Sequence, residues 1–483
     1  MRLVHKFSLA VGILSFLAAT GCGSGGSIVL PNPTGNYSVA SLNGSYVYQI
    51  HGTSNLGPYR EIGVFTTDKA GHVTGGSDDF AAGGVVSNNI TGTYSVAQDG
   101  TGFLSIAPTA LGQITFAITL ASSSKVYLME ADTFADGAGV AELQDSTAIN
   151  TLPSGTFVYR FHQIALTGQS PISEVGAITV LAGAVAGNLD QNLGGTSSQL
   201  TLTGSLGTPV ALGRGTGSFT DSTNFTTNFV YYIENVGKLI LMASNSGVIE
   251  SGSAEAQTGA VGNGLSGSYA FASRGDTGIL YDTVATAGQF TASGGTISAY
   301  VNDSMQSGNY SNASFNGTYT TQSNGRVAAS LNAGGPQEVF WMVTPSRAFF
   351  LVNDPSRVED GTADLQTVPT FAASTMKGQY AMVMDGIDLN PEILARIGTA
   401  QFDGSSRLVV SELANASGSL LGAQSPGALS GTYSVAANGR ATANLSSPSG
   451  FLTLVTYAIS PSDAYALQVD SGTNTSGTIE LQH

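Results

Sequence analysis

The chain has 483 residues, 63 of them Gly, with 42% hydrophobic residues and only 10% charged ones. Disorder needs low hydrophobicity and high charge, so this composition excludes a disordered chain. The net charge of −16 excludes a nucleic-acid binder, which needs a basic footprint to displace counterions, and a polybasic membrane contact.

Residues 1–22 start with Arg2 and Lys6, continue through the apolar run Phe7–Ala19 and end in small residues. This pattern predicts a secretory signal, too short for a span of ~20 apolar residues. Cys22 is the sole cysteine, so no intramolecular disulfide can form. Ala19-Thr20-Gly21-Cys22 resembles the lipobox of bacterial lipoproteins, with Ala19 where that family usually has Leu, Val or Ile. The resemblance implies a diacylglycerol thioether on Cys22 and acylation of its new amino group. With Gly23 rather than Asp after the cysteine, it also implies outer-membrane sorting. Two or three acyl chains, at ~0.8 kcal/mol per buried CH₂, anchor a protein stably. Residues 23–40 follow as a tether, Gly/Ser-rich at first and then stiffened by Pro31 and Pro33.

Beyond the tether the chain repeats. Gly44-Ser-Tyr46-Val-Tyr48 opens a unit, and it returns at Gly155, Gly267 and Gly378. Each unit closes on one pattern, Gly139-Val-Ala-Glu142-Leu-Gln144, repeated at Gly252–Gln257, Gly361–Gln366 and Gly477–Gln482. A Gly-Thr-Tyr…Gly stretch lies between them at Gly92–Gly100, Gly317–Gly325 and Gly431–Gly439, with Gly207–Gly215 read as its second copy. The units are 41–145, 152–258, 265–367 and 376–483. Linkers of about ten residues make them a string of neighbours with limited swing.

The first unit reads as eight strands: 45–51, 59–67, 72–78, 85–97, 102–107, 113–121, 125–132 and 138–144. Alternating large apolar residues give each strand a core face, and the turns carry Gly, Asn and Asp, which tolerate positive φ or bond locally. The fold class is therefore all-β: four tandem antiparallel units of about eight strands. An up-and-down barrel is favoured because closure leaves no open edge, with a β-sandwich or an eight-bladed propeller as alternatives. Pro391–Arg396 is the one short helix candidate.

Candidate chemistry is sparse. Asp78, Asp190, Asn302 and Ser411 recur at one position, and Asp132, Ser244, Asp354 and Asp470 at another. They could gather oxygen ligands for Ca²⁺, but strand-end Asp and Asn ordinarily make turns, and no dense Asp-x-Asp-x-Asp-Gly pattern is present. Glu142, Glu255, Asp364 and Glu480 read as a solvated outer face. His51, His72, His162 and His483 have no zinc spacing, and no nucleophile elbow or phosphate loop occurs. Trp341 reads as core. No catalytic residue, metal or cofactor is assigned, and Cys22 is the one site residue, for lipidation.

The reading that follows is a cell-envelope lipoprotein with a structural, adhesive or partner-binding role. Its partners are the membrane, through the lipid anchor, and a protein or glycan at the envelope, with no nucleic acid. The units also resemble calycin-like up-and-down barrels, which implies small apolar or carbohydrate ligands held inside. A third reading is a secreted hydrolase, for which the second unit, with Pro209 and Arg214, is the first place to look.

Overall fold

The computed structural model describes residues 35–483 apart from short stretches at 55–56, 83, 110–111, 134, 164–168, 278–281, 333, 389–392, 422–427 and 449. The leader, Cys22 and the tether up to residue 34 lie outside the described residues. Each of the four units is a closed antiparallel barrel of eight strands, as favoured from the sequence. Barrels 2 and 3 run through sequential hairpins from Gly155–Gln163 to Glu250–Ala256 and from Gly267–Asp276 to Arg357–Leu365. In barrels 1 and 4 the fourth strand is in two pieces, Val85–Asn89 with Gly92–Val96 and Ser419–Leu421 with Leu429–Val435. Both pieces pair with the third strand, so the barrel still closes.

The predicted strands of unit 1 all form, four of them a few residues longer, as in Asn43–Ser54 for the first, and 85–97 in two pieces. Of the short helix candidate, residues 391–392 lie outside the described residues, and the rest is not helical. Ile393–Asp403 is a strand paired with Lys377–Asp388, because tertiary pairing overrides a short run of helix formers. In barrel 2 the equivalents of the repeated glycines are Gly204 and Gly213, not Gly207 and Gly215. A Cβ on Gly204 would meet Ser218 O at 1.9 Å, as one on Gly92 would meet Ser105 O, and Gly213 has φ +74°.

Opening and closing strands pair in every barrel, with Val47 opposite Glu142, Val158 opposite Glu255, Ala270 opposite Asp364 and Ala381 opposite Glu480. Inward residues fill the barrels. Tyr46, Tyr48 and Phe65 pack in barrel 1, Phe161, Phe219 and Phe229 in barrel 2, and Phe271, Phe290 and Tyr300 in barrel 3. Barrel 4 keeps a cavity of about 10 Å³ against Met382, Phe402 and Tyr433, room for about one water.

The outward residues of the opening strands are also buried, because the units are not a loose string. Val47, Ile62 and Val64 of barrel 1 pack on Val230, Tyr232 and Met242 of barrel 2. Val158 and Val175 of barrel 2 pack on Trp341, Phe349 and Leu351 of barrel 3. Ala270, Ala287 and Met305 of barrel 3 pack on Tyr457, Tyr465 and Leu467 of barrel 4. Finally Ala381, Ala395 and Ile397 of barrel 4 pack on Ala117, Tyr127 and Met129 of barrel 1. The fourth contact closes a ring.

The closing glutamine is the clasp at every seam. Gln144 Nε2 donates to Leu212 O and Ile233 O of barrel 2, and Gln257 to Asn324 O and Met342 O of barrel 3. Gln366 donates to Asn438 O and Ala458 O of barrel 4, and Gln482 returns to Asp99 O and Leu120 O of barrel 1. The second glycine of the repeated stretch is the seat of this clasp. A Cβ at Gly100, Gly325 or Gly439 would come within 2.7–2.9 Å of the glutamine amide nitrogen, and each glycine has φ between +83° and +88°. Tyr37, at the end of the sequence-defined tether, belongs to the folded body: its OH donates to Ala121 O at 3.0 Å.

Candidate functional site

In each barrel the opening and closing strands lie between the wall facing the next barrel and the wall facing the previous one. Their outward side chains that are not taken up in a seam therefore point to the middle of the ring. The contact across that middle is direct: Arg274 Nη1 of barrel 3 lies 3.1 Å from His51 Nε2 of barrel 1.

The axis is polar at two levels. At the linker end stand Glu142, Glu255, Asp364 and Glu480, which the sequence suggested were solvated. Each is instead held by a neighbour: Lys238 of barrel 2 grips Glu142, Arg347 of barrel 3 grips Glu255, and Lys125 of barrel 1 grips Glu480 at 2.5 Å. In barrel 4 the basic position is Asp463, so Asp364 takes Arg347 of its own barrel at 2.9 Å and the Tyr465 hydroxyl. Burial opposes ionisation of Glu142, but Lys238 and Lys125 hold its carboxyl down at about 2. A cleft of about 510 Å³ opens here between barrels 1, 2 and 3, lined by Lys125, Glu142, Glu234, Lys238, Glu255 and Arg347.

At the far level lie the residues seven positions after each opening glycine: His51, His162, Arg274 and Asp385. Asp385 Oδ2 is 2.7 Å from His51 Nε2, and Asp385 Oδ1 is 2.5 Å from Arg274 Nη1. Arg274 Nε also donates to Ser476 Oγ at 2.7 Å. His162 Nδ1 is 2.7 Å from Asp360 Oδ1, and its Nε2 is 3.4 Å from Asp276 Oδ2. Burial disfavours the imidazolium, yet the two flanking carboxylates push His162 up to about 9, so it is cationic at neutral pH. Burial lowers His51, against the opposing pull of Asp385. Burial opposes the charged form of Asp385 too, and Arg274 and His51 nonetheless hold it well below the usual carboxylate range.

The other sequence candidates separate. Asp78 is buried inside barrel 1, where Asn88 donates to it and Tyr48 OH lies 3.0 Å from Asp78 Oδ1 and 3.1 Å from Glu61 Oε1. Burial raises Asp78 to about 6 and Glu130, bonded by Tyr59, to about 8. Glu174 of barrel 2 and Glu338 of barrel 3 are likewise raised by burial to about 7. Glu61 and Asp78 are 1% and 0% exposed, so a dissolved substrate cannot reach this pair. Asp190 points outward into the seam with barrel 3. Asn302 is buried on the neighbouring strand position of barrel 3, and Ser411 is exposed on barrel 4. Asp354 makes the expected turn, accepting from Ser356 N at 2.8 Å, and Asp470 accepts from Thr453 N. Among the described residues no group of His, Cys, Asp and Glu could hold a metal ion. Trp341 is buried, but it lies on the outside of barrel 3 and donates to Asp190 Oδ2 of barrel 2 at 2.8 Å.

That bond belongs to a lock repeated at three seams. Arg214 bonds Asp79 through Nε and Nη2 at 2.7 and 2.8 Å, with Tyr232 OH on the same carboxylate. Arg326, Asp190 and Trp341 repeat it, as do Arg440, Asp303 and Tyr457. Arg214 is thus a seam residue. At the fourth seam the strand registers place Leu413, Thr101 and Thr119 in the three positions. The lock is missing there as a set, and Leu413 joins the apolar cluster instead.

No family model and no curated protein matches this chain. Among solved structures it is similar to the isotype 1 transferrin binding protein B from serogroup B Neisseria meningitidis. That match has 9% identity and covers 74% of this chain and 83% of that one, with a TM-score of 0.21. A likeness at that score carries no argument about function.

Proposed function

We propose that the chain is an exported lipoprotein, anchored through acylated Cys22 to the outer membrane, whose ring of barrels is a rigid body that binds a protein or glycan partner on its outer surface. The observation that carries the binding part is how the barrels use their two wall faces. Their interiors are filled by their own aromatic residues, and barrel 4 keeps only about 10 Å³, far below the ~300 Å³ at which small-molecule pockets begin. Their outer walls carry the charged cleft of about 510 Å³. Recognition then belongs to the ring surface, not to the barrel interiors. The lipobox-like residues and the lone cysteine support the anchor.

Two experiments test this reading. Cells fed a clickable palmitate analogue label the wild-type chain and not Cys22→Ala, and labelling that survives the substitution refutes the anchor. A photo-crosslinking amino acid at Val236, 73% exposed in the turn beside the cleft, gives a discrete crosslinked species on intact cells. Absence of one refutes binding at the cleft.

A further inference from the structure

Of the sixteen Lys and Arg residues, Arg2 and Lys6 lie outside the described residues, leaving fourteen. Ten of these lie within ion-pair distance of a carboxylate. Among the described residues Lys69, Lys377 and Arg407 lack such a partner and are exposed to water. Arg60 also lacks one among the described residues and is only 5% exposed. Its Nη1 donates to Tyr59 O at 3.0 Å, which leaves most of its five N–H donors without a partner among the described residues. Burying a charge without a partner is costly, so such a side chain is retained where something compensates it.

Arg60 lies beside the far level of the axis, directly opposite His51 in the strand pairing. Its counterparts in the other barrels are Ser173, Ala285 and Ala395, so this cation is an addition to the repeat. Asp276, Asp360 and Asp385 are near enough to act on its charge, but each is already engaged: Asp385 by Arg274 and His51, Asp360 by His162 and Arg160, Asp276 by His162. Glu250 also feels Arg60 and His162, but burial raises its carboxyl well above the usual range, toward the neutral form, so with His162 cationic the three aspartates are matched and Arg60 is the surplus positive charge. Burial lowers it to about 10, which leaves it charged at neutral pH. The surroundings are not sealed: His51, Arg160 and Arg274 keep 37%, 36% and 35% of their side-chain surface accessible.

We infer that Arg60 is the core of an anion site on the ring axis, which takes a single small oxyanion, a carboxylate or phosphate group, with its unused guanidinium donors. A planar fork of N–H groups suits either group in two-point contact. The ligand's charge balances the one excess cation, and its binding draws on residues that all four barrels bring together.

The test is calorimetric titration of the full-length protein in detergent with sodium phosphate and, separately, sodium acetate at fixed ionic strength, with sodium chloride as control. At least one oxyanion is expected to bind saturably at one per chain and to raise the melting temperature, while chloride does neither. Arg60→Gln is expected to weaken that binding at least tenfold, and Arg60→Lys to retain part of it. If Arg60→Gln does not fold, Arg60→Lys decides: unchanged affinity overturns the proposal, and a several-fold loss supports it. Failure of both phosphate and acetate to bind wild type, or equal binding by Arg60→Gln, also overturns it.

Discussion

The three-seam lock makes a quantitative prediction at the junction of barrels 1 and 2. Asp79 is 0% exposed, and Arg214 is its ionic partner. Replacing Arg214 with Ala leaves a buried carboxylate held only by hydroxyls of Tyr232 and Ser87, a loss expected to cost about 3–5 kcal/mol. The fourth seam shows that the same architecture holds with no lock at all. Asp79→Leu and Arg214→Thr install that seam's residues, and Tyr232→Phe keeps the ring while removing the hydroxyl, so the charge and its partners go at once. Replacing a whole buried pair with apolar groups is often neutral, so the triple variant is expected within about 1–2 kcal/mol of wild type. Urea unfolding followed by far-UV circular dichroism measures both. A triple variant as unstable as Arg214→Ala, or an Arg214→Ala indistinguishable from wild type, refutes the reasoning.

Three further outcomes follow. Asp78, Glu130, Glu174 and Glu338 are raised in the folded state to about 6–8, so folding takes up protons. The stability they confer is complete below their unfolded values near 4 and is lost as pH rises through 6–8. His162, raised to about 9, acts in the same direction, and the lowered His51 opposes it; Asp385 loses its contribution only in stronger acid. The melting temperature is therefore expected to be higher at pH 5 than at pH 8, and a rise toward pH 8 refutes this. Gly325→Ala places a Cβ 2.9 Å from the Gln257 amide at φ +86°, whereas Gly334→Ala has φ +81° and nothing within 4 Å. Both incur left-handed strain of about 1–2 kcal/mol, and urea unfolding is expected to show an added loss of ~1 kcal/mol at Gly325 alone, from the disturbed clasp. Gln482→Ala removes two bonds at the seam with no linker and is expected to cost about 1–2 kcal/mol. It should also speed limited proteolysis, whereas Gln144→Ala at a linked seam should not.

The barrels were legible because their signals are local: turn glycines, alternation and a repeat that ends each unit on the same residues. The ring was not, although its trace is in the sequence. Leu239-Ile-Leu-Met-Ala243 and Phe340-Trp-Met-Val343 are apolar at consecutive positions, which marks strands buried on both faces. Reading only the inward alternation put Trp341 in a barrel core and Glu142 in water. The axial level was equally visible as a position, seven residues after each opening glycine, where every unit has an ionisable residue. Its types differ, His, His, Arg and Asp, because His51, Arg274 and Asp385 meet one another while His162 meets Asp276 and Asp360 of barrel 3, so the residues must be complementary, not alike. A search for a repeated residue misses such a set. Arg60 carries no pattern at all, since its siblings are Ser and Ala, and only burial and pairing single it out. Cys22 remains a sequence expectation.

The divergence of the fourth seam has a physical reason. Linkers of about ten residues hold barrels 1–2, 2–3 and 3–4 close together, so each of those seams forms at a high effective concentration. That advantage offsets the cost of stripping water from an arginine and a carboxylate and aligning them with a Tyr or Trp. Barrels 4 and 1 have no linker, so no short tether holds this pair at a high effective concentration. An apolar contact, with Leu413, Ile397 and Ala395 against Tyr127, Met129 and Ala117, gains free energy from any approximate approach, because burial is non-directional. A charged lock gains only from one alignment and costs desolvation before reaching it. Directional bonds remain at this seam, with Gln482 and Gln379 donating to Asp99 O, Asn415 to Glu130 O and Ala135 O, and Lys125 and Tyr127 reaching Glu480, but none of them sets an arginine on a buried aspartate. Installing Asp and Arg at positions 413 and 101 should therefore slow ring closure even where it leaves the closed ring as stable as before.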